Sequence, residues 1–178
     1  AQLADMREFA IKEKFLSMKD KMKIFDPHTQ EQVGYMDSKV ISIPKKFWLK
    51  DIQGNTILGA KKKVFSFLTT FKFYEGAPSE NFSNNVHIGN LKKKFSLKPK
   101  YNFYDGGGTK IFEIRGSFLG RTFEIFRQGR LVANISRKLF TIKDTFGVKI
   151  TDITDDREAM TILMMVAIID YVMESQNN

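Results

Sequence analysis

Cysteine is absent from this chain. That excludes a disulfide framework, thiolate nucleophiles and Cys-ligated metal centres. Histidine is nearly absent as well. His28 and His87 stand far apart with no helical or strand spacing to other ligands, so neither an imidazole metal site nor a serine–histidine pairing is indicated. No metal and no cofactor are expected. Arginine is scarce, seven residues against twenty-two lysines. Lysine makes point-charge contacts rather than bidentate ones, which argues against specific reading of phosphates or bases, and nucleic acid ranks below other anionic partners. No secretory leader is visible at the start, and the Asn-x-Ser sequons at Asn81 and Asn134 are then expected to be incidental. Met6 is expected to be the natural first residue, with 1–5 a leader ahead of it.

What is present is apolar bulk and positive charge. The 178 residues are 42% hydrophobic, enough for one substantial core, and seventeen Phe with five Tyr favour strands. The formal net charge is +9. A surface of that sign suits phosphate groups and anionic lipid heads.

The longest apolar run is Ala159–Met173, AMTILMMVAIIDYVM. Fifteen residues are too many for one strand and read as helix. Asp155 is placed to cap it, with Glu158 at the capping-box spacing and Asp156 in the first turn. A helix apolar on all sides is buried on all sides. Fifteen residues span roughly 22 Å, short of a ~30 Å hydrocarbon core, and Asp170 sits inside the run. A core helix is therefore expected over about 156–174, and no transmembrane span. Asp170 is expected near the mouth of whatever surrounds the helix, paired with a cation or with backbone donors.

Upstream, one unit recurs six times. Its mark is a pair of apolar residues two apart: Met22/Ile24, Phe47/Leu49, Phe71/Phe73, Tyr101/Phe103, Phe123/Ile125 and Phe146/Val148. Period 2 is a strand with one buried face. Turn signals follow at Asp51–Gly54, Glu75-Gly76, Asp105–Gly108 and Gln128-Gly129. A second strand follows each turn and is expected to end in a shared phrase of basic, apolar, then Ser or Thr. Clear copies are Lys39–Ser42, Lys63–Ser66 and Lys138–Thr141; looser ones are Lys14–Ser17 and Lys94–Ser96, and Arg115–Phe118 replaces the phrase once. Gly76–Asn85 reads as a longer polar loop. With an opening strand near Arg7–Glu13 and a last one near Thr145–Ile150, about twelve strands are expected. A twelve-stranded barrel leaves a lumen that eight strands would not, and a wholly apolar helix can fill it. The fold class expected is mainly β: a single closed antiparallel barrel around a central, buried C-terminal α-helix.

Those residues resemble the LURP-one-related family of the tubby C-terminal-like superfamily, which includes phospholipid scramblases. The resemblance is carried by Phe9–Phe15, Leu49–Gly54, Leu131–Ser136, Asp144–Val148 and the final helix with Ile169-Asp170, over about Met6–Glu174. It implies a twelve-stranded barrel around a central helix, hence 6–178 as one domain, and it does not imply an enzyme. Tubby-type domains bind phosphoinositide head groups. Scramblases carry an acidic calcium-binding segment beside the last helix; here Asp152, Asp155 and Asp156 read as helix capping instead, so scrambling is not implied.

Three basic clusters occupy similar places in their units: Lys61-Lys62-Lys63, Lys92-Lys93-Lys94 and Arg137-Lys138. They read either as one anion-binding patch at a barrel rim or as solvated strand ends. Trp48, Tyr74, Tyr104 and Phe126 fall on the outward face, as interfacial or stacking aromatics or as residues covered by loops. Asp105-Gly106-Gly107-Gly108-Thr109-Lys110 lacks the phosphate-loop spacing and reads as a hairpin. The function expected is a non-enzymatic module, cytoplasmic and peripheral to an anionic membrane, binding lipid head groups or a phosphorylated ligand through its lysines. The alternative is a protein–protein interaction or scaffold role without a lipid ligand.

Overall fold

A computed structural model describes residues 2–12, 21–39, 43–76, 82, 84–117, 122–140 and 142–176. A short 3₁₀ turn, Leu3–Asp5, precedes twelve strands: β1 (Glu8–Lys12), β2 (Met22–Phe25), β3 (Gln32–Lys39), β4 (Lys46–Asp51), β5 (Thr56–Lys62), β6 (Thr70–Glu75), β7 (His87–Lys93), β8 (Lys100–Asp105), β9 (Lys110–Gly116), β10 (Phe123–Arg127), β11 (Arg130–Ser136) and β12 (Thr145–Ile150). Helix α1 (Asp156–Gln176) ends the described chain. Each strand pairs antiparallel with its sequence neighbours, and β1 pairs with β12 to close the barrel, Phe9 facing Val148 and Ile11 facing Phe146.

All six apolar pairs point inward and are buried, as their period of 2 requires. Helix α1 fills the lumen. Every residue from Ala159 to Ile169 is 5% exposed or less. Three methionines of the plug, Met160, Met164 and Met165, suit a cavity walled by aromatic rings, because an unbranched thioether adapts to irregular gaps. The buried Thr161 hydroxyl is satisfied by the Arg157 carbonyl at 2.8 Å. No helix among the described residues is long and apolar enough to cross a membrane.

The two ends of the barrel differ. At one end, where α1 enters, lie the tight β4–β5, β8–β9 and β10–β11 turns and the long β6–β7 connection. Asp155 caps the helix there, its Oδ1 accepting from the amides of Arg157 (2.8 Å) and Glu158 (3.1 Å). Glu158 does not complete the capping box; its carboxylate pairs with Arg127 at the end of β10. Arg7 donates to the carbonyls of Ile153 (2.9 Å) and Thr154 (3.2 Å) and to the Asp156 carboxylate (2.7 Å), tying β1 to the approach of the helix. Leu3, in the stretch expected to be a leader, is buried in the core.

At the other end lie the β3–β4, β5–β6, β7–β8, β9–β10 and β11–β12 connections and the exit of α1. Tyr171 marks that exit, edge-on to Phe47 at 5.4 Å near the start of β4. Asp170, 8% exposed, precedes it and does not stand without an interaction partner. The shared phrase lies at this end, but as connection rather than strand. β5 stops at Lys62, β7 at Lys93 and β11 at Ser136. The copy at Lys14–Ser17, and residues 40–42, 118–120 and 141 of the others, lie outside the described residues.

The stretch expected to be a polar loop, Gly76–Asn85, delivers a buried aromatic. Phe82 is 2% exposed, stacks on Tyr74 at 5.1 Å and lies 5.9 Å from Trp48 on the outer wall. Gly59 between those two strands makes the seat: a Cβ there would meet the Phe82 ring at 2.0 Å.

Candidate functional site

Cross-strand register assembles a row of lysines on the outer wall. Lys39 faces Lys46, Lys46 faces Lys61, and Lys61 faces Lys72, on four consecutive strands β3 to β6. At a strand spacing of ~4.8 Å the row is about 14 Å long. Lys72 in turn faces Asn90, and Lys92 is the diagonal neighbour two residues on. Like charges placed directly opposite one another destabilise a sheet, so the row costs the fold something. Long lysine stems let the ammonium groups splay into water. Two of them settle over aromatic rings, Lys61 at 5.7 Å from Tyr74 and Lys92 at 5.4 Å from Tyr104. Burial pushes the Tyr74 phenol above its ordinary range. Among the described residues, Lys61, Lys72 and Lys92 form no ion pair with a carboxylate. Several ammonium groups within reach of each other can hold a phosphate through charge-assisted hydrogen bonds.

The rim above this wall is tied together by backbone bonds. The Lys62 amide donates to the Lys45 carbonyl (2.9 Å), joining the β3–β4 connection to β5, and the Lys93 amide donates to the Thr69 carbonyl (2.9 Å), joining the β5–β6 connection to β7. Each loop is closed at its neck, by Lys63 to Thr70 and Lys94 to Lys100, both 2.8 Å. The tips point apolar side chains into solvent: Phe65 is 87% exposed, Phe67 98%, and Phe95 and Leu97 91% each. Ile43 of the β3–β4 connection is 86% exposed.

The basic clusters read from sequence are thus divided. Lys61 and Lys92 face outward in the row described. By strand alternation Lys62 and Lys93 take the inward side, opposite Phe71 and Tyr101, at the mouth from which α1 leaves. Lys63 and Lys94 stand at the necks of the loops. Arg137 and Lys138 do not join them. They lie in the β11–β12 connection, across the barrel from β5, β6 and β7 in strand order. The three clusters therefore do not lie together: two share the wall with Lys39, Lys46 and Lys72, and the third stands apart.

The other candidates are placed as follows. Trp48 and Tyr74 are covered by Phe82, and Phe126 carries the Arg115 guanidinium 4.6 Å from its ring centroid. In the glycine-rich turn Asp105 Oδ1 accepts from the amides of Gly107 (3.0 Å) and Thr109 (2.9 Å), so a carboxylate of the chain itself takes the amides a phosphate would need. Gly108, at φ +89°, makes the turn possible. His28 Nε2 lies 2.6 Å from Glu8, a hydrogen bond that raises the imidazole above its ordinary value. His87 bonds Asn90 instead. A cleft of about 250 Å³ opens where α1 enters, between Ile88, Phe103, Phe112 and Thr161. The charges at its wall are already matched, Arg157 with Glu75 and Glu158 with Arg127.

One signal in the sequence would have pointed to the wall directly. Residues 38–50, 56–74 and 86–104 contain thirteen lysines and no aspartate, glutamate or arginine. Outside them the chain has a small net negative charge, although the whole carries +9. These three segments hold the end of β3, nearly all of β4 to β8 and the connections that make the apolar rim. Searching for lysine clusters found only their densest points; the absence of acid was the more informative feature.

Comparisons with known proteins agree with this architecture. No curated protein matches the sequence. Among solved structures, the X-ray structure of a protein from Arabidopsis thaliana superposes with a TM-score of 0.63 at 14% identity, over 92% of this chain and 91% of that one. At that identity the likeness concerns the fold. The LURP-one-related family model matches residues 7–170, from the arginine that clamps the helix entry to the aspartate at its exit, and the chain belongs to the LURP-one-related family.

Proposed function

We propose that the protein is a non-enzymatic module that binds a phosphate-bearing anionic group, on a lipid or on a soluble ligand, through the outer wall of β3 to β7. The observation that carries this reading is the charge imbalance: thirteen lysines and no acidic residue in 38–50, 56–74 and 86–104, four of those lysines in direct cross-strand register, beside Asp37 of β3, which pairs with Lys50 at 3.5 Å. A row that opposes folding persists where something other than folding uses it. On the β9 side of the barrel, by contrast, Lys110 and Arg115 both bind Glu113.

The test is sedimentation with phosphatidylcholine vesicles, with and without phosphatidylserine, beside a titration with a soluble inositol phosphate. Binding is expected at low ionic strength in at least one arm and is expected to fade toward 1 M salt, where the Debye length falls to ~3 Å. The triple variant Lys61→Ser, Lys72→Ser, Lys92→Ser is expected to bind more weakly while melting close to the parent. No binding in either arm at low salt removes the proposal.

A further inference from the structure

We propose that the rim formed by the β5–β6 and β7–β8 connections, with Ile43 of the β3–β4 connection beside them, is a bilayer-inserting face, whose tips enter the boundary between head groups and acyl chains of an anionic membrane. The proposal rests on the reading above for the sign of the surface and goes beyond it in naming the bilayer, rather than a free phosphate, as the occupant.

Three features of the rim point the same way. Of the nine large hydrophobic residues exposed among those described, six lie on these three connections: Ile43, Val64, Phe65, Phe67, Phe95 and Leu97. Scattered apolar residues on a surface need no explanation, but a contiguous group does. The connections are neighbours along one arc, because the strands they join run consecutively from β3 to β8. Their necks are joined to the neighbouring strands by the Lys62–Lys45 and Lys93–Thr69 backbone bonds. Closing the necks shortens the free length of each loop and so lowers the entropic cost of placing its tip in a lipid phase.

The charge around the tips selects among occupants. Lys45, Lys63, Lys94 and Lys98 sit at the bases of the same loops, with no acidic residue in these connections. A second copy brought rim to rim would set these lysines against their own kind, a repulsive arrangement. An anionic bilayer matches both layers of the face: apolar tips meet acyl chains, and lysines one turn of chain behind meet lipid phosphates. The loop sequences have the same logic. Phe65-Ser66-Phe67 and Phe95-Ser96-Leu97 place an apolar side chain on either side of a small polar residue, and both flanking side chains of each triplet are exposed.

The experiment separates insertion from plain electrostatic attachment. Phe67→Trp and Phe95→Trp reporters are mixed with phosphatidylserine-containing vesicles whose acyl chains carry bromine. Both reporters are expected to be quenched, while the native Trp48, half-buried beside Phe82, is not. A fourfold variant, Phe65→Ser, Phe67→Ser, Phe95→Ser, Leu97→Ser, is expected to keep the parent's melting temperature and to lose vesicle affinity by about tenfold or more, as loss of buried apolar area requires. Its residual binding is expected to be abolished by salt that the parent tolerates. Unquenched reporters on protein that sediments normally, or a fourfold variant that binds like the parent, overturn insertion and leave the lysine wall standing. Binding of inositol phosphate without binding of vesicles overturns it likewise, and binding of neither overturns both readings. A parent dimer that the fourfold variant dissolves identifies a second copy as the occupant and also overturns the proposal.

Discussion

The two ends of the barrel were built from the same repeating unit and ended up opposite in character. At the entry end each charge that borders α1 has a partner: Arg7 with Asp156, Arg127 with Glu158, Arg157 with Glu75. The turns there are locked by carboxylates, Asp51 on the amides of Gln53 (3.0 Å) and Asn55 (2.9 Å), and Asp105 on those of Gly107 and Thr109. At the exit end lysines face lysines and aromatic rings face water. Matched charges and capped turns are what a fold needs to close upon itself. Facing like charges and exposed rings are what a fold tends to avoid. The asymmetry gathers paired charges at one end and exposed rings and facing lysines at the other.

A second contrast sharpens the first, because it lies within the exit end. The phrase Lys138-Leu139-Phe140 is a copy of Lys63-Val64-Phe65, yet Phe140 is half-buried and Phe65 is not. The difference is the receiving strand. β12 carries Gly147 between Phe146 and Val148, and a Cβ at that point would meet Phe140 at 2.6 Å and Leu139 at 2.8 Å. The corresponding residue of β6 is Lys72, which leaves no seat for Phe65. Gly147 and Gly59 do the same job, each admitting an aromatic ring against the outer wall.

Both contrasts can be broken by mutation. The largest effect is expected at the axis common to both ends. Met165→Lys places an ammonium where exposure is 0%, a burial too costly for the plug to survive, so circular dichroism should report an unfolded chain; a cooperative melt near the parent's would show that α1 does not hold the barrel open. Next, Gly147→Ala should cost about 1–3 kcal/mol by overpacking and release Phe140 into solvent, making the β11–β12 copy resemble the β5–β6 copy. Urea denaturation measures the cost, and an unchanged midpoint would mean Gly147 is not the seat. At the entry end Asp155→Ala removes the cap and should lower stability by ~1 kcal/mol, read from the same denaturation curve.

Smaller is the effect expected on the matched wall. Glu113 is held down at about 2, chiefly by its hydrogen bond to Lys110 and then by that to Arg115. A carboxylate with a folded value below its ordinary 4.5 adds stability that is complete above that value and lost as pH falls toward 2. Glu113→Gln should therefore melt below the parent at neutral pH, and the two curves should converge in acid; a constant gap down to pH of about 2 would remove the ion pairs as its cause. Smallest of all, Phe67→Ser should shift stability by no more than ~0.5 kcal/mol, as for any exposed residue without partners. A large loss would mean that the tip belongs to the fold and not to a binding face.

Much of the architecture was legible before any coordinates. Period-2 pairs such as Phe71/Phe73 mark strands, an all-round apolar run marks a buried helix, and Asp155 marks its start; each signal is local, contained in a few consecutive residues. The plug follows from them, because a helix without a polar face must be surrounded and twelve strands leave room for it. The site was only half legible. Lysine clusters are visible in the chain, but whether Lys46, Lys61 and Lys72 stand side by side depends on register between strands far apart in sequence, and a slip of one residue would turn each to the other face. Composition alone gave no reason to part Arg137 and Lys138 from the rest; strand order around a closed barrel did. Nor could the phrase announce which copies would project. The chain by itself determined that there would be a barrel, a plug and a basic surface. Tertiary structure decided where that surface lies and which rings are left in water, because both depend on what each side chain meets across the sheet.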